Sequence, residues 1–201
     1  SLSRLVDVLR ALPTSELDGL ISRLGIRVDA AKRIDTPSQV ARALVALPEI
    51  RDTSLLPAAS GELLYRIAEN RGVLLAPSLP QAVEPLAARG IVFARLLERG
   101  TVELILPSAY LVQLRSWEGE DPRGVRALLA QASFETLTAI ASHYLGRPAT
   151  PPVSLALEAA WEVLADPARV REEVERLAPP ERRLLEAVER EGGEVVTEEL
   201  L

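Results

Sequence analysis

The chain has 201 residues, 48% of them hydrophobic, 26% charged and 3% aromatic. This excludes a disordered tail or fibrous repeat and leaves room for one or two globular domains. The net charge of −6 is unevenly spread: residues 1–51 carry eight basic and six acidic side chains, residues 52–122 six and nine, and residues 123–201 nine and fourteen. An acidic chain is a poor generic binder of phosphate backbones, so any nucleic-acid contact must come from a local patch.

In LSRLVDVLRA, Leu2, Leu5, Val6 and Leu9 fall at helical spacing and Pro13 stops the run. Thr14 or Ser15 is then expected to cap a second helix striped by Leu17, Leu20, Ile21 and Leu24, with Gly25 as its C′ residue. A third helix, capped at Thr36 or Ser38, runs through QVARALVAL to Pro48. Residues 1–51 thus read as a helical amino-terminal unit. After Pro57, GELLYRIAEN (Gly61 to Asn70) predicts a helix burying Leu63, Leu64 and Ile67, VLLAP a brief strand, and LPQAVEPLAARG a helix bent or shortened by Pro85. Two β-rich runs, Val92 to Leu97 and Val102 to Leu106, flank Gly100, whose tolerance of positive φ suits a hairpin across 91–106. A helix from Ser108 to Ser116 leads into the hydrophilic WEGEDPRG, taken as a boundary closing the unit 52–122. VRALLAQA, SFETLTAIASHYLG, the turn RPATPP, VSLALEAAWEVLAD and ARVREEVERLA then make a helical unit, 123–178, and a last helix starts at Pro179.

With an offset of 121 residues, Glu62 to Leu79 lies on Arg183 to Leu200, setting Leu63 and Leu64 on Leu184 and Leu185, Ile67 on Val188, Gly72 on Gly193 and Leu79 on Leu200. Such a pattern predicts a duplicated module whose second copy, 179–201, is truncated. With no methionine even at position 1, the sequence is expected to be processed or part of a longer protein. The expected fold class is mainly α with a small β-hairpin, a hairpin module plus a helical bundle.

The order helix, short strand, helix, hairpin resembles a winged-helix domain, with Gly61 to Asn70 as first helix and Ile91 to Leu106 as wing. It departs from that family in having room for only one good helix, around Pro85, ahead of the wing. The segments LRALPTSEL, PAASGELLYRIAENRG, PLAARGIVFARLLERGTVELILPSAYLVQL and LAPPERRLLEAVEREGG are similar to helicase-associated amino-terminal regions of bacterial XPB-type helicase-related proteins. That resemblance implies a non-catalytic region adjoining a nucleic-acid motor or carrying DNA-binding folds. Ser15 to Leu44 also resembles a SAP-like helix–turn–helix.

Absent chemistry narrows the function. The chain holds no cysteine, so disulfides, thiolate nucleophiles and cysteine-based metal sites are excluded. The one histidine, His143, has its nearest acid, Glu135, eight positions upstream, and it reads as a packed or rim residue. Lys32 follows no glycine-rich loop, so no phosphate cradle is expected. The chain reads as a non-enzyme with no cofactor and no metal. Trp117 and Trp161 read as packing anchors, and EEVERLAPPERR as an ion-paired helix face. No apolar run approaches the roughly 20 residues that span a bilayer. No membrane partner and a cytoplasmic location are expected.

Two functions stay open. In the first, a DNA-associated module contacts phosphates through Arg89, just before the hairpin, and Arg95 and Arg99 on it and at its tip, with a second basic group at Arg23, Arg27, Lys32 and Arg33 interleaved by Asp29 and Asp35. In the second, degenerate winged helices form a scaffold that binds a protein partner or self-associates. Clustered arginines on one hairpin face favour the first, and an exposed apolar patch favours the second.

Overall fold

The computed structural model describes residues 3–114, 116–146, 152–193 and 195. Leu2 of the first predicted helix, most of the RPATPP turn and, residue 195 apart, the repeat alignment beyond Gly193 lie outside the described residues, as does the side chain of Arg99. The chain divides into two compact units, Ser1–Glu162 and Val163–Leu201. It is mainly helical with one small antiparallel sheet, as composition and periodicity predict.

The first unit opens with α1 (Leu5–Ala11), α2 (Thr14–Leu24), α3 (Thr36–Leu44) and the single turn α4 (Pro48–Arg51). Leu5 and Leu9 of α1 are buried with Val40, Ala41 and Leu44 of α3. Gly25 closes α2 at φ 62°, the left-handed conformation its missing Cβ allows. The predicted caps fall differently. Helix α2 begins on Pro13 and α3 on Asp35, one residue ahead of the expected Thr14 and Thr36. Pro48 does not end α3; it opens α4, because a first helical turn has no use for the missing N–H.

Next come α5 (Ala58–Glu69), β1 (Val73–Ala76), a 3₁₀ turn at Gln81–Val83, α6 (Glu84–Ala88), β2 (Phe93–Leu96) and β3 (Val102–Ile105). The strand order is β1-β3-β2, so the sheet has three strands and not the hairpin alone. Val73 pairs with Ile105 and Ala76 with Val102, while Phe93 pairs with Ile105 and Arg95 with Glu103. Side chains alternate accordingly: Val102 and Leu104 are buried, Glu103 and Ile105 half-buried. Gly72, at φ 84°, brings its carbonyl to the Leu106 N–H at 2.8 Å, and a Cβ there would lie 2.7 Å from the Leu106 carbonyl oxygen. Only glycine lets the start of β1 meet the end of β3. Gly100, at φ 80°, turns the hairpin as predicted.

The expected helix across 79–89 shrinks to the 3₁₀ turn and the five-residue α6, with Pro85 in its first turn. The helix expected over Ser108 to Ser116 shrinks to α7 (Ser108–Leu111). Tyr110 of α7 is fully buried and donates its hydroxyl to the Gly90 carbonyl at 2.9 Å.

Helices α8 (Val125–Gln131), α9 (Phe134–Leu145) and α10 (Val153–Leu164) follow, α10 running across the division between units. Leu129, Leu157 and Trp161 share one core with α1, α3, α5 and the sheet, so residues on both sides of the hydrophilic 117–124 break are buried together. Arg126 crosses that break. It is 6% exposed, makes a two-bond ion pair with Glu120, donates to the Leu114 carbonyl and lies 4.6 Å above the Trp117 ring.

In the second unit, α11 (Pro167–Arg176) and α12 (Pro179–Arg190) bury no side chain. Arg169 and Arg176 pair with Glu172, and Arg176 also with Glu173, the ion-paired face read from EEVERLAPPERR. Leu184 and Leu185 are exposed where their aligned counterparts Leu63 and Leu64 are buried.

Candidate functional site

Arg89 and Arg95 are each engaged by a carboxylate of the same chain. Arg89 points its Nε at Glu49 Oε1, 2.7 Å away, and a second nitrogen at the Pro85 carbonyl at 3.1 Å. Arg95 lies 2.5 Å from Glu103, its cross-strand partner. Arg23 donates to the Ala88 carbonyl at 3.3 Å. Three of the sequence-predicted contacts are thus engaged inside the molecule, and Arg99 is described by its backbone alone.

The other basic group fares differently. The loop joining α2 to α3 is pinned by Gln39, whose Nε2 donates to the Asp29 and Ile34 carbonyls (3.0 and 2.8 Å) while its Oε1 accepts from the Asp29 N–H (2.9 Å). Asp29 turns its carboxylate onto the Ala31 N–H, and Asp35 pairs with Arg10 at 2.9 Å. Hydrogen bonding from Ser38, together with Arg10, holds Asp35 below its ordinary pKa. Arg27, Lys32 and Arg33 remain exposed and form no ion pair among the described residues.

A third surface is apolar. Between α5 and β1 runs a groove of about 490 Å³, walled by Glu62, Leu63 and Arg66 on one side, Leu74 and Leu75 on the other, and ended by Pro77 and Pro80. Leu75 and Leu79 are 60% and 59% exposed beside it. Its seat is built by Ser60, whose hydroxyl donates to the Ala82 carbonyl at 2.9 Å and fixes α5 against the 77–82 loop. The sequence predicted Leu63 as core and VLLAP as a strand, but not that this strand would take a sheet edge. An uncharged run from Gly72 to Val83 was the available signal.

Glu158 is the polar residue that sequence reading missed. It is 1% exposed, yet its Oε1 accepts from the Leu5 N–H at 3.0 Å, the Ala109 N–H at 2.8 Å and the Ser108 hydroxyl at 2.5 Å. One carboxylate thereby satisfies first-turn donors of both α1 and α7. Burial raises its pKa against the lowering pull of those bonds, and burial also raises that of Glu162, one turn on, which pairs with Arg4 at 3.7 Å. A carboxylate so enclosed organises helix ends and offers no face to a substrate.

His143 is exposed at the end of α9, with Tyr144 edge-on at 5.0 Å. Among the described residues, no three His, Asp or Glu side chains gather as a metal site, and no helix is long and apolar enough to cross a membrane. Comparison with family models, curated proteins and solved structures found no match.

Proposed function

We propose that the chain is a non-catalytic protein-interaction module on a degenerate winged-helix-like core, working through the α5–β1 groove. The observation that carries this reading is the segment between β1 and β2. Where a winged-helix domain carries a helix able to enter a DNA groove, this chain has the five-residue α6, whose exposed charged residue is Glu84 and whose Leu86 is buried. Base reading needs a helix face with donors and acceptors reaching a major groove, and α6 offers neither the length nor the residues. The exposed leucines, Leu75 in β1 and Leu79 just after it, instead stand beside the α5–β1 groove. In the setting implied by the resemblance to helicase-associated regions, such a module docks the proteins that accompany a nucleic-acid motor.

A second reading, contact with a nucleic-acid backbone, draws on exposed Arg27, Lys32 and Arg33 on their pinned loop. Panning a random peptide library on phage against the chain and its Leu75→Asp variant, alongside anisotropy of duplex and single-stranded DNA in a salt series, separates the two. The interaction reading expects peptides enriched on the parent and lost on the variant. Salt-dependent DNA binding abolished by alanines at Arg27, Lys32 and Arg33, with no groove-dependent peptide, overturns it.

A further inference from the structure

We propose that the occupant of the α5–β1 groove is a second copy of this chain, paired about a two-fold axis; this rests on the protein-interaction reading of the same surface. A two-fold contact uses one patch twice, so the patch must complement itself. Glu62 and Arg66 meet that condition. They stand one helical turn apart on the α5 wall of the groove, about 6 Å along the axis, both exposed. Glutamate four residues before arginine is the favourable order for pairing within a helix, yet among the described residues neither makes an ion pair. An axis passing between them sets Glu62 of one copy against Arg66 of the other twice over. Antiparallel α5 helices then carry two reciprocal ion pairs flanking the apolar strip.

The strip itself is suited to being covered. Residues 72–83 hold no charge in a chain that is 26% charged, and in this run Leu75 and Leu79 face solvent. Electrical balance matters because the whole molecule carries −6. A patch of one acid and one base adds no repulsion to that of two like-charged copies.

The backbone at this edge argues against the main alternative, an extended peptide added as a fourth strand. The Gly72–Leu106 bond and the register turn Gly72, Leu74 and Ala76 toward β3, leaving Val73 and Leu75 outward. Val73 spends its N–H on the Asn70 carbonyl, and Pro77 has none to give. Only Leu75 keeps an outward N–H, so beside the Val73 and Leu75 carbonyls the edge has one donor to offer, and Pro77 cuts the ladder off after it. Side-chain docking of helix and leucines is what remains.

Sedimentation equilibrium of the full 201-residue chain across roughly micromolar to millimolar concentration tests the pairing. The average mass should climb from 21.8 kDa toward twice that value. Arg66→Glu and Leu75→Asp should each weaken association about tenfold or more. The double exchange Glu62→Arg with Arg66→Glu should restore it to within about threefold, since the two-fold axis reunites opposite charges. Circular dichroism checks that the variants fold; should Leu75→Asp fail to, the charge exchange alone decides. A mass fixed at 21.8 kDa throughout, or a double exchange no better than the single, overturns the pairing. If the chain stays monomeric while phage-derived peptides still bind the parent and not Leu75→Asp, pairing fails and the interaction reading stands; if neither occurs, both fail.

Discussion

Replacing Glu158 by leucine fills the site with an apolar side chain and removes the acceptor shared by α1 and α7. Two backbone donors, Leu5 N–H and Ala109 N–H, lose their bonds of 3.0 and 2.8 Å in residues with no exposed surface. Each buried donor left unpaired costs about 1–3 kcal/mol. The Ser108 hydroxyl retains the Ser3 carbonyl at 3.2 Å and adds little. Relief from burying a carboxylate offsets part of the loss, so the net destabilisation should be about 3 kcal/mol. Amide hydrogen exchange reads it locally: protection at Leu5 and Ala109 should fall about a hundredfold, at 1.4 kcal/mol per tenfold. Glu158→Gln, which keeps an acceptor oxygen, should lose about 1 kcal/mol. A leucine variant within about 0.5 kcal/mol of the parent would refute the view that this carboxylate holds the two helix ends.

The same site fixes a pH dependence. Burial raises Glu158 and Glu162 above the ordinary 4.5, so their ionisation favours the unfolded chain. Stability from these groups is full below that value and is lost as pH rises through the folded pKa values; urea midpoints should decline over that window, and Glu158→Gln should flatten the decline. Arg126→Ala strands Glu120 without its partner and should cost about 3–5 kcal/mol in urea unfolding. Gly72→Ala, at φ 84° with a Cβ 2.7 Å from a carbonyl oxygen, should cost over about 2 kcal/mol and lower the thermal midpoint. Arg95→Ala leaves the half-buried Glu103 carboxylate without its cross-strand partner and should cost about 1–3 kcal/mol in urea unfolding.

Much of this fold was legible in the sequence because local signals and tertiary packing agree. The leucine stripe of α2 with Gly25, the α5 stripe and the Gly100 hairpin all appear where periodicity and turn chemistry put them. Failures came where one residue type serves two roles. Pro48 reads as a stop but starts a helix, and the apolar run after Ser108 reads as a helix because it is buried, although only four residues of it are helical. The site was less legible. Arg89 and Arg95 read as a cationic face, but their acids, Glu49 and Glu103, lie 40 and 8 residues away in sequence and meet them only through the fold. Glu158 was invisible for the same reason, being 153 residues from Leu5. The groove needed β1 to be an edge, which depends on the long-range pairing with β3.

The most direct test of the groove as the working surface is a set of amide proton–nitrogen correlation spectra of the labelled chain, recorded on dilution and on adding duplex DNA. The account predicts that on dilution the amides of α5 and of residues 73–82 shift, while DNA leaves the spectrum unchanged. Shifts induced by DNA in the Arg27 to Arg33 loop or along 91–106, with residues 73–82 unmoved on dilution, would contradict it.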